Sequence, residues 1–316
     1  MVATIHNLII IGAGPAGYSA AIYAQRAGLK PILIQGSEPG GQLMQTTDVD
    51  NYPGFATILG PTLMMNMHAQ VDKLGVEIIA DVIESVDFSK KPLQLKGMNS
   101  SYSCKSVIIA TGSSAKWLKI PSENTFKGFG ISACATCDGF FFKNKNVAVI
   151  GGGNTAVEEA LYLSKIAKKV VLIHRRDELR AEQILQDTLF KTKNIEILWN
   201  KVVTEFQGVE GELTELQSLV LEDTLKKTQQ TLKVDGAFIA IGHTPNTKFL
   251  QGQVDLDPDG YITSYNNSTF VTLKGKPLVG VFAAGDVNDK IYRQAITSAG
   301  SGCKAALDAQ QYLLKK

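Results

Sequence analysis

Two glycine-rich turns, 139 residues apart, constrain this chain more than any other feature. Leu8-Ile9-Ile10-Ile11 is a short apolar strand that runs into Gly12-Ala13-Gly14-Pro15-Ala16-Gly17. An alanine-rich helical stretch follows to about Ala27, Gly28 supplies its stop, and Pro31-Ile32-Leu33-Ile34 reads as a second buried strand. The pattern returns as strand Val147-Ala148-Val149-Ile150, turn Gly151-Gly152-Gly153-Asn154-Thr155-Ala156, a helix through Leu163, and strand Val170-Val171-Leu172-Ile173. In each copy the residue after the second strand, Gln35 or His174, lies 18 positions beyond the last small residue of the turn. The first glycine of such a turn permits the bend, the second lets backbone approach a pyrophosphate, and the third position must be small for helix and strand to pack. The helix start then offers free N–H groups to the anion. One copy alone is weak evidence; two with matched downstream spacing are strong.

The repeat continues beyond each βαβ unit. Between about residues 81 and 102, and again between about 202 and 234, short alternating stretches broken by turn residues read as β-meanders. Each meander is followed by an apolar strand that ends in a glycine turn, Val107-Ile108-Ile109-Ala110-Thr111-Gly112 in one case and Ala237-Phe238-Ile239-Ala240-Ile241-Gly242 in the other. A last strand, Gly280-Val281-Phe282-Ala283-Ala284, ends in Gly285-Asp286, and a small-residue helix follows from about Gln294 to Leu313. These would complete the first sheet, so the second copy is inserted within the first. The expected fold is α/β, with two Rossmann-like, three-layer ββα dinucleotide-binding domains. The expected boundaries are residues 1–114 and 245–316 for the outer domain and 115–244 for the inserted one, with crossings near residues 112–117 and 242–247.

Composition removes several function classes. The formal net charge is +2 and no long block of one sign occurs, so nothing in the charge points to nucleic acid or an anionic membrane. Residues 8–24 are uncharged, but Gly12, Gly14, Pro15 and Gly17 interrupt them and they fall short of the about 20 apolar residues a span requires. No basic stretch precedes them, which argues against a secretory signal. With four cysteines and no export signal, the cytoplasm is the expected compartment, where a close cysteine pair is more often redox-active or metal-binding than structural.

The residues around each fingerprint suggest which nucleotide goes where. After the second strand of the inserted copy comes His174-Arg175-Arg176, with Arg180 four residues on from Arg176. A carboxylate there would suit the ribose hydroxyl of NAD, whereas a basic cluster suits the 2′-phosphate of NADPH. The outer copy has Gln35 at that position, with Glu38 nearby to hold a ribose. Gly40-Gly41-Gln42 would allow backbone close to a flat ring, and Asp286, at a strand's carboxyl end, could accept from ribityl hydroxyls. FAD fits this set.

Cys134-Ala135-Thr136-Cys137 ends 14 residues before Gly151, which attaches it to the NADPH copy. At this spacing the pair can close a small disulfide loop. If it opens a helix, the dipole favours the thiolate, the attacking form. Asp138 could exchange a proton as the disulfide opens. Zinc would require two more ligands, and Cys104, Cys303 and the four histidines do not cluster with the pair, so no metal is expected. Cys104, Cys303, Trp117, Trp199 and Met64, Met65 and Met67 read as packing residues.

Over essentially its whole length the chain resembles the bacterial-type, low-molecular-weight thioredoxin reductases. The resemblance rests on the two glycine turns, Gly40-Gly41-Gln42, Ala110-Thr111-Gly112, Ser132-Ala133-Cys134-Ala135-Thr136-Cys137-Asp138-Gly139, His174-Arg175-Arg176, Gly285-Asp286 and Arg293-Gln294-Ala295. It implies a homodimer binding FAD and NADPH, with Cys137 facing the flavin, Cys134 attacking thioredoxin and Asp138 as acid/base. It places Asn51, Asp286, Arg293, Gln294 and Ala295 at the flavin, and it implies rotation of the NADPH domain between half-reactions. Phe140 and Phe141 match the family's apolar docking patch. Phe129 departs from the basic residue of its best-known members, which bears on how thioredoxin docks. Relatives that serve a different disulfide carrier have a thioredoxin-like domain ahead of the first fingerprint, and none is expected here.

Overall fold

The computed structural model describes residues 4–46, 48–211 and 213–315. The chain divides into two compact units, residues 1–114 with 244–316, and residues 115–243.

The outer unit is organised by strand Ile5–Ile11, parallel to Ser101–Ile109 on one side and Ile32–Ile34 on the other. Lys276–Ala283 and Glu77–Ile79 extend the parallel set outward. Strand side chains alternate between faces, so Leu8 and Ile10 pack with Leu33, Ile108 and Phe282 beneath helices Pro15–Arg26, Gly60–Lys73 and Ala295–Leu314. Ile9 and Ile11 point the other way, into a layer supplied by Ile83–Asp87, Leu93–Gly97 and the loops bearing Leu250 and Val254. The result is the three-layer ββα arrangement. The first-turn helix and the C-terminal helix approach so closely that a Cβ on Gly302 would lie 2.0 Å from the Ala16 carbonyl oxygen. Gly302→Ala is therefore expected to destabilise this unit by about 1–3 kcal/mol through overpacking, read as a lowered Tm.

In the outer unit the meander runs directly into the apolar strand that follows it. Ser101–Ile109 is one unbroken strand that pairs with Leu93–Gly97 at its start and with Ile5–Ile11 along its length. In the inserted unit they are separate, because Lys201–Val209, Glu215–Asp223 and Gln229–Lys233 form their own sheet and Gly236–Ile239 starts anew. A Cβ at Gly236 would sit 2.2 Å from the Phe142 ring, so the chain there runs close against an aromatic. Met65 is not a packing residue: Met64, Met67 and Val71 share the buried face of their helix, and Met65, one position off that spacing, is exposed.

The inserted unit repeats the plan with five parallel strands in the order Ile131–Ser132, Gly236–Ile239, Asn146–Ile150, Lys169–Ile173, Ile195–Leu198. Val147 and Val149 pack under helix Asn154–Ser164, while Ala148 and Ile150 meet Phe206, Leu219 and Leu221 of the three-stranded sheet. The chain passes between units along Ser113–Ala115 and His243–Pro245, which pair with each other. Asn246 fastens both crossings on the outer side: its N–H donates to Gly112, its amide donates to the Thr111 carbonyl at 2.9 Å, and its Oδ1 accepts from Ser114. On the inner side the buried Glu123 carboxylate accepts the N–H groups of Leu118 and Lys119, both at 2.9 Å.

Candidate dinucleotide and disulfide sites

In the outer unit, the first turn lies at the carboxyl end of the central strand. Gly12 has φ of +107°, and a Cβ there would stand 2.3 Å from the Ala110 carbonyl oxygen. A Cβ on Gly17 would stand 1.8 Å from the Gly12 carbonyl oxygen, which is the close packing the third glycine permits. Gly14, the residue before Pro15 at the helix start, faces open space, and the nearest atom to a Cβ built on Gly41 is the Gly14 Cα at 3.9 Å. Gly40 donates to the Ala13 carbonyl at 2.9 Å, so the segment bearing Gly40-Gly41-Gln42 is tied to the fingerprint across an open cradle. Gln35 is half-buried, while Glu38 and Gln42 are exposed beside it.

Distant segments close the same edge. Asn51 donates its amide to Gln294 Oε1 at 3.3 Å, although 243 positions separate them. Gln294 caps the C-terminal helix reciprocally with Thr297, Ala295 opens that helix, and Arg293 before it has φ of +47°. Gly285 donates to Ser301 Oγ, and Asp286 accepts from Ser298 Oγ at 2.8 Å. Burial pushes the Asp286 carboxyl up to about 6; the Ser298 hydroxyl opposes that rise, Asp289 adds to it and Arg293 opposes it. A carboxylate withdrawn from water beside an open glycine cradle is suited to hydroxyl donors, and this unit therefore fits a flavin dinucleotide. Ser298 and Thr297 are not legible in the sequence, because short polar residues within a small-residue helix carry no signal of their own.

The second cradle has the same construction. A Cβ on Gly151 would lie 2.4 Å from the Ala240 carbonyl oxygen and 2.7 Å from the Ala156 Cβ, while Gly153, before the helix start, faces open space. Asn154 and Glu182 bond reciprocally, the Glu182 N–H to Asn154 Oδ1 at 2.9 Å and the Asn154 amide to Glu182 Oε1 at 3.2 Å. The Arg180 N–H donates to the Gly152 carbonyl at 2.7 Å. These bonds hold the arginine loop against the fingerprint beside Thr155. The basic cluster divides by burial: Arg175, Arg176 and Arg180 are exposed, whereas His174 is buried, its ring beneath Gly152 and edge-on to Trp199. Burial lowers the His174 pKa, backbone hydrogen bonds with Gly151 and Glu178 oppose this, and Arg180 and Arg175 lower it further. The three arginines thus carry the positive charge, and His174 supports the loop.

The cysteine segment follows the edge strand Ile131–Ser132. Cys134 and Cys137 are joined as a disulfide with Cα atoms 5.3 Å apart. Cys134 caps the turn Ala135–Asp138, and its own N–H donates to Ser132 Oγ at 3.0 Å. The helix opened by the pair is a single turn continued by the short 3₁₀ turn Gly139–Phe142, so little macrodipole stands behind the sulfurs. Ala135 donates to Glu159 Oε1 at 3.4 Å, and one oxygen each of Asp138 and Glu159 is sealed from solvent. On the turn after the pair, Phe140, at 65% exposure, and Phe141, at 39%, face solvent, while Phe142 is buried. Phe129, on the turn before the edge strand, is 54% exposed. Cys104 is buried and Cys303 half-buried. Among the described residues no group of three or more His, Cys, Asp or Glu side chains is placed to share a metal ion. Among them, too, no helix is long and apolar enough to cross a membrane.

A family model described as pyridine nucleotide-disulphide oxidoreductase matches residues 6–302. A Rickettsia conorii protein named thioredoxin reductase is 53% identical over 311 residues, 98% of each chain. A Pseudomonas fluorescens protein named glucosaminate ammonia-lyase is 51% identical over 322 residues, 99% of this chain and 98% of its own. Among solved structures, thioredoxin reductase from Streptococcus pyogenes superposes with a TM-score of 0.92 at 36% identity, covering 99% of each chain.

Proposed function

The chain belongs to the pyridine nucleotide-disulphide oxidoreductase family, with thioredoxin reductases among its relatives, and we propose that it reduces the disulfide of thioredoxin with electrons from NADPH. The observation that carries this is the Cys134–Cys137 disulfide on the same unit as the second fingerprint, in a chain with a second dinucleotide cradle. The turn Gly12-Ala13-Gly14-Pro15-Ala16-Gly17, with Gln35, Glu38, Gly41, Gln42 and Asn51, Ala110-Thr111-Gly112, Gly285-Asp286 and Arg293-Gln294-Ala295, would hold FAD, which when bound would supply two-electron chemistry between nicotinamide and disulfide. Gly151, Gly153, Asn154, Thr155 and Ala156 would hold the pyrophosphate of NADPH, supported by His174, and Arg175, Arg176 and Arg180 would take its 2′-phosphate.

The remaining chemistry belongs to this chain's own side chains. Once the pair is reduced, the Cys134 thiolate attacks a thioredoxin sulfur, forming a mixed disulfide and expelling the other thioredoxin sulfur as thiolate. Asp138 supplies the proton that this leaving sulfur takes up. Cys137 then attacks Cys134, which re-forms the enzyme disulfide and releases dithiol thioredoxin. Phe140 and Phe141 offer apolar area for that encounter, and Phe129 adds a third exposed ring in place of a charge.

Nicotinamide and disulfide ride on one unit, yet both must come within about 3.5 Å of the flavin. The unit of residues 115–243 therefore turns about its two crossing strands between half-reactions. Gly242, with φ of +99° and no neighbour to meet a Cβ, gives one strand its freedom, and the Asn246 and Glu123 clamps confine the pivot. Cross-linking the two units should halt turnover with thioredoxin while leaving bound cofactor in place. A homodimer and a cytoplasmic location complete the reading.

Mixing the protein with NADPH and thioredoxin and following NADPH absorbance tests the function directly. Ammonia release from glucosaminate with no NADPH oxidation would select the other relative's named activity. Arg175→Gln should raise KM for NADPH about tenfold by removing one charge-assisted contact, with NADH kinetics unchanged.

A further inference from the structure

The turn Ala135–Asp138 rests on helix Asn154–Ser164 so tightly that a Cβ on Gly139 would lie 3.0 Å from the Leu163 side chain and 3.1 Å from Tyr162. The following turn, Gly139–Phe142, brings three phenylalanines and no charge. On the helix, Glu158 is exposed, Tyr162 is half-buried, and Glu159 is turned inward with its Oε1 taking the Ala135 N–H. On the turn itself the only ionisable group besides the sulfurs is Asp138.

We propose that Glu159 is a positioning residue of the redox pair, whose carboxylate holds the first N–H of the cysteine turn and opposes formation of the attacking thiolate at Cys134. Two effects act with the same sign. The N–H groups of a helix start are the donors that favour a thiolate at its cap, and Glu159 removes the Ala135 N–H from that set. Its negative charge, held at the base of the same turn and partly sealed from water, also disfavours a second anion there. Because the turn is a single one, little macrodipole offsets either effect. Glu159 thus sets how much of the dithiol is reactive at a given pH, with the reversible proton residing on Cys134 when it is not attacking.

This inference rests on the redox-active reading of the pair, but it can fail separately, because thiol titration involves neither NADPH nor thioredoxin. The flavin-loaded protein is reduced with a phosphine and desalted without oxygen. The rate of Cys134 alkylation by iodoacetamide is then followed against pH by peptide mass spectrometry. Glu159→Gln, which keeps the acceptor and removes the charge, should lower the alkylation midpoint by about one pH unit. One unit below the wild-type midpoint its rate should be about fivefold higher. Glu159→Asp keeps the charge and should stay within about 0.3 unit of wild type. Glu158→Gln, on the exposed side, should not move it. An unchanged midpoint in Glu159→Gln overturns the proposal, as does an equal shift in Glu159→Asp or in Glu158→Gln. Should Glu159→Gln fail to fold, a full-unit shift in Glu159→Asp overturns it, since packing and not charge would then govern the thiol.

Discussion

Replacing Cys137 with serine should lower turnover with thioredoxin by at least about a thousandfold while NADPH still bleaches the flavin. Loss of one member of a catalytic unit costs about as much as loss of the whole unit. Here the unit is a sulfur–sulfur bond with Cα atoms 5.3 Å apart on one short turn. An oxygen at position 137 cannot close that bond, so the electrons have no acceptor on this chain. Neither Cys104, buried with its thiol pushed up to about 12 by loss of water, nor Cys303, on the C-terminal helix, can substitute. Stopped-flow absorbance separates the two halves of the experiment, reading flavin bleaching at one wavelength and NADPH consumption with thioredoxin at another. Cys134→Ser should lose turnover to the same extent. Undiminished turnover in either variant would show that electrons reach thioredoxin without passing through the pair.

Much of the fold is legible from the residues because it is written twice. The glycine turns, the apolar strands beside them and the matched 18-residue spacing report backbone requirements that few other residues meet. The strand side chains confirm the layer order through alternation, Leu8 and Ile10 to one face, Ile9 and Ile11 to the other. What is not legible depends on where long segments return. The Asn51 and Gln294 contact spans 243 positions and follows only once the C-terminal helix has docked. His174 looks like one basic residue among three, and only packing under Gly152 reveals it as a buried support. Phe140, Phe141 and Phe142 are chemically identical in sequence, yet the turn they occupy exposes the first two and buries the third. Glu123, Glu159 and Asn246 fall in the same class. Each is an ordinary polar residue whose role comes from backbone groups it meets in three dimensions.

Asp286→Asn should weaken flavin binding about a hundredfold at pH 8 and abolish its dependence on pH near 6. The carboxylate is withdrawn from water and accepts from the Ser298 hydroxyl, and burial raises its pKa to about 6 in the flavin-free protein. Its folded pKa therefore lies above the ordinary carboxylate value of 3.8. The folded flavin-free state is favoured by the protonated form, so this residue's stabilising contribution is complete below about pH 4 and is lost as pH rises through about 6. Ribityl hydroxyls at this position would reverse that preference, donating to the ionised form and lowering its pKa. Binding then releases a proton, and flavin affinity should fall about tenfold for each pH unit below 6 until the pKa of the bound form is reached. Asparagine keeps the shape and one acceptor but has no charge to lose. Two or so charge-assisted contacts reduced to neutral ones account for the hundredfold loss. Fluorescence titration of flavin into the flavin-free protein between pH 5 and 8 reads both effects. Thermal melts of the same preparation should show wild-type Tm falling with rising pH relative to Asp286→Asn. A wild-type affinity that is flat across this range would mean that the carboxylate lies apart from the flavin.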